Sequence, residues 1–506
     1  MKPGKHVSAI LSAGLLALSG VSALADAPQM KMTTDLPASI TTPDSVDSSL
    51  GTLTYRDGVP DGASVETLYE YLDRSRAVEV MLNAMPTMSA YALREGQRAA
   101  GCAAAHQICI VDTLLDSKGL FLTGNTSTMY SFGFLDLERD GPTVVDIPPG
   151  MLGVLDDMAF QYITDLGAAG PDKGKGGKYL VLPPGYDGDV PDGYFVFQSK
   201  TYGVWNFMRG YLTDGVAAAS KNIRDNLKVY PLSQADTPPE MEFVNITGKE
   251  MNTIVATDVS FYAGLNDVIQ QEPEGFLGVE RTGQLAAIGI EKGKDFAPDD
   301  RMQAILEDAA KIGDGIARAY TYFPRDPGVQ VFGADSAWVL AYPDRNTFFM
   351  RGEGRNLDGR TTYHYGYIVV SPAMAIRAAG KGSDYTMAML DSEKRPLDGA
   401  KTYKLTMPAD VPVKDFWAVT MYDTQTRSQL QTDQQFPTLD SYTEGMQKNA
   451  DGSIDVYFGP TPPEGKESNW LQSVPGKGWF IALRMYGPLE PWLDGSWQPG
   501  EIELVE

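Results

Sequence analysis

The stretch GNTSTMYSFGFLDLERDGPTVVDIP, Gly124 to Pro148, decides how the fold is read. Asn125, three hydroxyl residues and Tyr130 stand ahead of a run in which apolar residues alternate; a Gly-Pro turn and a second such run follow. A period of two is the mark of a half-buried strand, and Gly-Pro is turn chemistry, so the stretch predicts a polar mouth opening into a pair of strands. Working outward, FLTGN, TMYSFGFLDL, PTVVDIP, KYLVLPPGY and GYFVFQS keep the same period between Leu120 and Phe197, separated by Gly, Pro and Asp. After Pro324 the chain returns to short strands, with LDGAKTYKLTMP, DFWAVTMYD, GSIDVYFG and WFIALRMYG the clearest.

Helical periodicity fills the remainder. Val65, Leu68, Tyr69, Leu72, Ala77, Val80, Met81 and Met85 recur mostly at steps of three and four, and a second helical stretch passes through Ala90-Tyr91-Ala92. Met302, Ile305, Leu306, Ala309, Ile312 and Ile316 mark one face of a helix over 299–322. YGVWNFMRGY predicts a short helix, and TTYHYGYIVV a strand carrying His364 between tyrosines. The expected fold is α+β and β-rich, with antiparallel β-sandwich or jelly-roll-like units at both ends joined by a helical segment. Its expected parts are an extended leader arm at 26–64, a helix plus β-rich domain at 65–240, a helical connector at 241–325 and a β-sandwich at 326–506.

With 506 residues, 43% of them hydrophobic, the chain is too long for one core and has the make-up of a globular protein. Residues 1–25 read separately: Lys2, Lys5 and His6 precede the apolar run Ala9–Val21, and Ala23-Leu24-Ala25 is a small-x-small cleavage pattern. This predicts a secretory signal removed near Ala25, hence a periplasmic or secreted protein that does not span the membrane. Losing Lys2 and Lys5 and no acid moves the formal net charge from -24 to -26. Nucleic acid and anionic membrane surfaces both require a basic footprint, so neither is an expected partner. Cys102 and Cys109 are the only cysteines, and an oxidising compartment predicts a disulfide between them, worth about 2 kcal/mol. The alternative gives them, with His106, a metal or thiol role.

No HExxH, GxSxG or Walker loop occurs, and GPDKGKGGKY has the wrong spacing for a P-loop. His106 and His364 are the only histidines left after maturation, too few for a multi-His zinc site. YDGDVPDG sets Asp187, Asp189 and Asp192 close together; calcium is the one cation this suits, but the EF-hand pattern is absent and the expectation is no metal and no cofactor. In the predicted helix, Tyr202, Trp205 and Arg209 share a face, where Arg209 can take a carboxylate, sulfate or phosphate bidentately. Trp417, Tyr422, Trp470, Trp479, Trp492 and Trp497 crowd the C-terminal region beside Asn469 and Arg484, as core or as a platform for a sugar or apolar ligand.

GNTSTMYSFGFLDLERDGPTVVDIP, GGKYLVLPPGY, YGVWNFMRGYLTDG and VYPLS resemble the bacterial family filed as domain of unknown function 1254. RPLDGAKTYKLTMPADVPVKDFWAVTMYDTQT, NADGSIDVYFG, SNWLQSVPGKGWFIALRMYGP and LDGSWQP resemble its usual C-terminal partner, type 1214. The resemblance implies a β-sandwich-rich envelope protein and assigns no activity; it allows a homo-oligomer. Asn125, Thr128 and Tyr130 keep the family's pattern before the Tyr-Ser strand, whereas Gly124 replaces its proline and Ser127 its acid.

Together these residues predict a binding protein of the cell envelope, taking a glycan, polymer or lipid-like small molecule in an aromatic-lined cleft between the β-rich domains. Its expected contacts are Asn125, Thr128, Tyr130, Trp205, Arg209, His364, Trp417, Tyr422, Asn469, Trp470 and Arg484. The alternatives are a periplasmic hydrolase of an ester, sulfate or glycoside, with Arg209 holding the anion, and a purely structural role.

Overall fold

A computed structural model describes residues 29–505; the expected signal at 1–25 lies outside the described residues. The fold is mixed α+β, β-rich toward both ends, and no sheet closes on itself. The chain divides into two compact units after Tyr69.

In the first unit, Ser45–Ser48, Gly51–Arg56 and Val59–Pro60 form a small antiparallel meander where an extended arm is expected. The signal for it is Asp57-Gly58, both at positive φ (48° and 76°), which is the dipeptide a tight hairpin demands. Asp61 then accepts a hydrogen bond from the Ser64 backbone N–H at 2.8 Å, satisfying one of the orphan donors of the helix Gly62–Ala99. That helix contains Pro86 and continues through the two stretches read separately from the sequence.

In the second unit two β-sandwiches bracket the helices. The first packs a six-stranded sheet, whose middle strands are Met129–Asp136, Gly203–Gly210 and Met151–Asp157, against a four-stranded one centred on Gly177–Leu182 and Thr143–Ile147. Alternation sorts the side chains: Val204 and Met208 join Met129, Leu155, Val145 and Val181 inside the sandwich, while Trp205, Phe207 and Arg209 share the opposite face. The second sandwich packs a five-stranded sheet, with Trp479–Pro488 between Ser383–Ala388 and Val413–Asp423, against a four-stranded one containing Tyr403–Met407 and Ile454–Gly459. Here Trp479, Ile481, Leu483 and Met485 point inward, leaving Phe480, Ala482 and Arg484 on the other face.

The outward faces of the two large sheets share one core. Tyr130, Phe132, Trp205 and Phe207 from the first meet Met387, Tyr422, Phe480 and Ala482 from the second, with Tyr342, Tyr363 and Tyr367 in the same cluster. Each wholly buried large side chain contributes about 1.5–3 kcal/mol.

The helix Asp300–Tyr322 is capped by Asp299, which accepts from the Met302 N–H at 2.7 Å, and buries Ile305, Leu306 and Ala309 with Met81 and Met85. Gly313 permits that approach, because a Cβ there would stand 2.5 Å from Met81 Sδ. Two expectations are corrected. YGVWNFMRGY is the strand Gly203–Gly210, and His364 sits on a helix, Leu357–Gly366, capped by Asn356 accepting from the Gly359 N–H at 3.0 Å.

Candidate functional site

Between the two sandwiches lies a cavity of about 80 Å³, enough for several waters or a small organic group. Its floor comes from the opening stretch. Asn125 Oδ1 accepts from the N–H groups of Ser127 (2.9 Å) and Thr128 (3.1 Å) and from Thr128 Oγ1 (3.1 Å), so Thr128 braces the turn. The Asn125 N–H donates to the Tyr130 hydroxyl at 3.0 Å. The carbonyls of this loop are held from the other sandwich: Arg484 Nη2 donates to Thr123 O at 2.7 Å, and the Tyr422 hydroxyl to Gly124 O at 2.8 Å. Gly124 sits where space is short, since a Cβ there would meet Leu115 Cδ2 at 2.3 Å.

Two guanidinium groups dominate the cavity. Arg209, opposite Tyr130 in the sheet register, lies over the Phe207 ring at 5.7 Å. Arg484, opposite Tyr385 and Ala418, lies 5.4 Å from the Tyr385 ring and 5.5 Å from that of Tyr422. Neither has a carboxylate within ion-pairing distance among the described residues, and Arg209 Nε and Arg484 Nη1 are buried with no hydrogen-bond partner in the protein. Both guanidinium groups keep their charge at neutral pH, so the pocket holds positive charge without a paired carboxylate in a poorly screened place. Arg345 also lines it but is neutralised by Asp384 at 2.5 Å, whose other oxygen accepts from Trp492 Nε1 at 2.8 Å.

The rest of the lining is apolar or phenolic. Phe121, Leu122, Phe207, Ile368, Val369 and Met387 supply the walls. The Tyr342 hydroxyl lies 2.6 Å from that of Tyr363 in the same lining. Burial pushes the Tyr130 phenol up despite the pull of Arg209, and pushes Tyr342 and Tyr363 higher, so all three keep their protons at neutral pH.

Of the residues singled out in the sequence, Asn125, Tyr130, Arg209 and Arg484 line this cavity. Thr128 and Tyr422 support its floor without lining it. Trp205 is a layer away, stacked on Phe207 at 4.7 Å, and the cation-π partner of Arg209 is Phe207. Trp417 is core of the second sandwich, together with Trp479, Trp492 and Trp497. Asn469 fastens backbone, donating to Gln447 O (2.9 Å) and Asp455 O (2.8 Å), and Trp470 Nε1 donates to Gly459 O at 2.9 Å. No tryptophan lines the cavity; its aromatic groups are tyrosines and phenylalanines. His364 lines a different one. Sequence reading missed Tyr385, Arg345, Asp384 and the Tyr342–Tyr363 pair, for which the tyrosine-dense run TTYHYGY was the available signal.

Cys102 and Cys109 form a disulfide, Cα to Cα 5.8 Å, so neither thiol is available to a metal. Asp187, Asp189 and Asp192 are exposed, and among the described residues no three His, Cys, Asp or Glu side chains gather as a metal site. Among those residues no helix is long and apolar enough to cross a membrane.

No curated protein matches the chain. Among solved structures it is similar to the VPA0106 protein of Vibrio parahaemolyticus, at 20% identity over 84% of this chain and 100% of that one, TM-score 0.48. It is also similar to an uncharacterized protein from Burkholderia cenocepacia, at 13% identity over 88% of this chain and 97% of that one, TM-score 0.38. Residues 106–231 match the family described as protein of unknown function DUF1254, and residues 382–490 match protein of unknown function DUF1214. The cavity is walled from both matched regions, and the chain thus carries a DUF1254 region followed by a DUF1214 region, the pair that its motifs resemble.

Proposed function

We propose that the chain is an exported binding protein whose inter-sandwich cavity takes a small organic acid, its apolar body against the Phe121, Phe207 and Met387 walls and its oxyanion between Arg209 and Arg484. One observation carries the reading: the guanidinium groups of Arg209, half-buried, and Arg484, buried, face one cavity with unused N–H donors, and among the described residues neither is ion-paired to a carboxylate. An anion there gains charge-assisted hydrogen bonds that water would otherwise weaken. The Tyr130 hydroxyl accepts from the Asn125 N–H and keeps its own proton for such an oxygen, whereas the Tyr342 and Tyr363 hydroxyls donate to the carbonyls of Val369 and Ile368; none of the three suits base catalysis. This narrows the expected lipid-like ligand to one with an acidic head, and it favours binding over hydrolysis. The basic, then apolar N-terminal pattern and the Cys102–Cys109 bridge support export.

The test compares benzoate and butyrate with benzyl alcohol and butanol by thermal shift and calorimetry. The acids should raise Tm and the alcohols should not, and Arg209→Leu should weaken acid binding by at least roughly tenfold with little loss of Tm. Equal shifts from acid and alcohol would sink the anionic head, and a collapse of Tm in Arg209→Leu would make that arginine a structural one.

A further inference from the structure

The helix Leu357–Gly366 contributes consecutive residues to separate cavities: Tyr363 lines the one between the sandwiches, and His364 lines a second of about 550 Å³. The second cavity gathers Lys200, Arg281, Arg355 and Arg360 around one carboxylate, Glu280, in a chain whose formal net charge is -24. None of the four cations forms an ion pair among the described residues. Two of the lining side chains are both deeply buried and incompletely used. Arg360, 6% exposed, donates from Nη2 to Asn83 Oδ1 at 2.9 Å, while its Nε has no partner. His364, 1% exposed, has Nδ1 2.9 Å from Arg360 O. A carbonyl only accepts, so the proton is on Nδ1, and Nε2 is a bare lone pair with no partner.

A site with several unbalanced cations and one buried acceptor selects a ligand that is both an anion and a hydrogen-bond donor. We propose that this cavity binds a protonated phosphate, free or ending a small ester, with Arg281, Arg355 and Arg360 serving its charged oxygens and His364 Nε2 accepting from its P–OH. Sulfate and ionised carboxylates offer no such proton. The cavity has room for the group that the phosphate esterifies. Burial draws the imidazole down to about 3, which keeps the His364 lone pair free at neutral pH. Burial, with Arg281 and Arg355 close by, draws Arg360 down to about 9, an unfavourable field that a bound anion relieves.

The experiment is calorimetry on the full chain at about pH 5.5, below the second ionisation of a phosphate ester near about 6. The probes are inorganic phosphate, glycerol phosphate and sulfate. Sulfate carries more charge there and no proton, so charge alone ranks it first. The expected result is that a phosphate probe binds roughly tenfold or more tighter than sulfate. Arg281→Ala combined with Arg355→Ala should then cost at least roughly tenfold, and His364→Phe should bring phosphate to the level of sulfate or below. Binding of inorganic phosphate alone assigns the site to the free ion, and binding of both probes assigns it to the ester as well. No phosphate binding, or sulfate binding as tightly, overturns the proposal. So does a phosphate isotherm untouched by the double variant, which would put the anion in the Arg209–Arg484 cavity and leave that separate reading standing.

Discussion

Arg427 and Arg484 are both almost wholly buried, at 2% and 5% exposure, yet the protein treats them differently. Arg427 is enclosed: its Nε donates to Tyr365 O at 3.2 Å, its Nη1 to Gln425 O, and its guanidinium carbon lies 4.0 Å from the centre of the Tyr365 ring. Arg484, by contrast, makes one hydrogen bond, to Thr123 O, and has Nη1 left over beside a cavity. Burial alone therefore does not separate a fastening from a binding group; the fate of the leftover donors does.

Substituting each arginine by methionine sharpens that contrast most. Arg427→Met should cost about 3 kcal/mol, because it orphans the buried Tyr365 carbonyl, loses the bond to Gln425 O and removes a cation-π contact. Arg484→Met should stay within about 1 kcal/mol, since the loss of one bond and of two longer contacts with the Tyr385 and Tyr422 rings is offset by relieving an unbalanced buried charge. Chemical denaturation of both variants measures the gap, and equal losses would erase the distinction.

Glu272 extends the comparison to a buried acid. It is 1% exposed, and burial raises its carboxyl to about 7 although the N–H groups of Tyr202 (2.6 Å) and Gly203 (3.1 Å) donate to it and favour the charged form. An acid whose folded pKa lies above its ordinary 4.5 binds more proton in the native state. Its contribution is therefore complete below about pH 4.5 and is lost as pH climbs to about 7, an amount of about 3 kcal/mol. Urea midpoints across that window should fall in the wild type, with the Glu272 share of the slope missing in Glu272→Gln. An unchanged slope in the variant would remove Glu272 from the account. A small effect is likewise expected of Tyr422→Phe, which loses the bond to Gly124 O and should cost about 1 kcal/mol with the cavity lining intact.

The strands that carry these groups were legible where one face is buried in a sandwich and the other meets a different environment. WFIALRMYG announces its alternation because Trp479, Ile481, Leu483 and Met485 share one core and Arg484 stands on the opposite face. YGVWNFMRGY misleads for a geometric reason: residues four apart, such as Trp205 and Arg209, share a face on a helix and on a strand alike. TTYHYGYIVV misleads because Gly359–Gly366 is buried on every side, so no polar face exists to reveal a turn of 3.6 residues. Arg209 and Arg484 are both expected contacts of one cleft and both line the cavity; which other side chains join them was not legible, since that depends on how two sandwiches separated by a helical segment dock.

That docking has an evolutionary consequence. Because the outward faces bearing Phe207 and Phe480 cover one another, neither sandwich has a complete surface by itself. A gene encoding only one of them would make a polypeptide with a wide greasy wall turned to water, so selection has reason to keep the two inherited together.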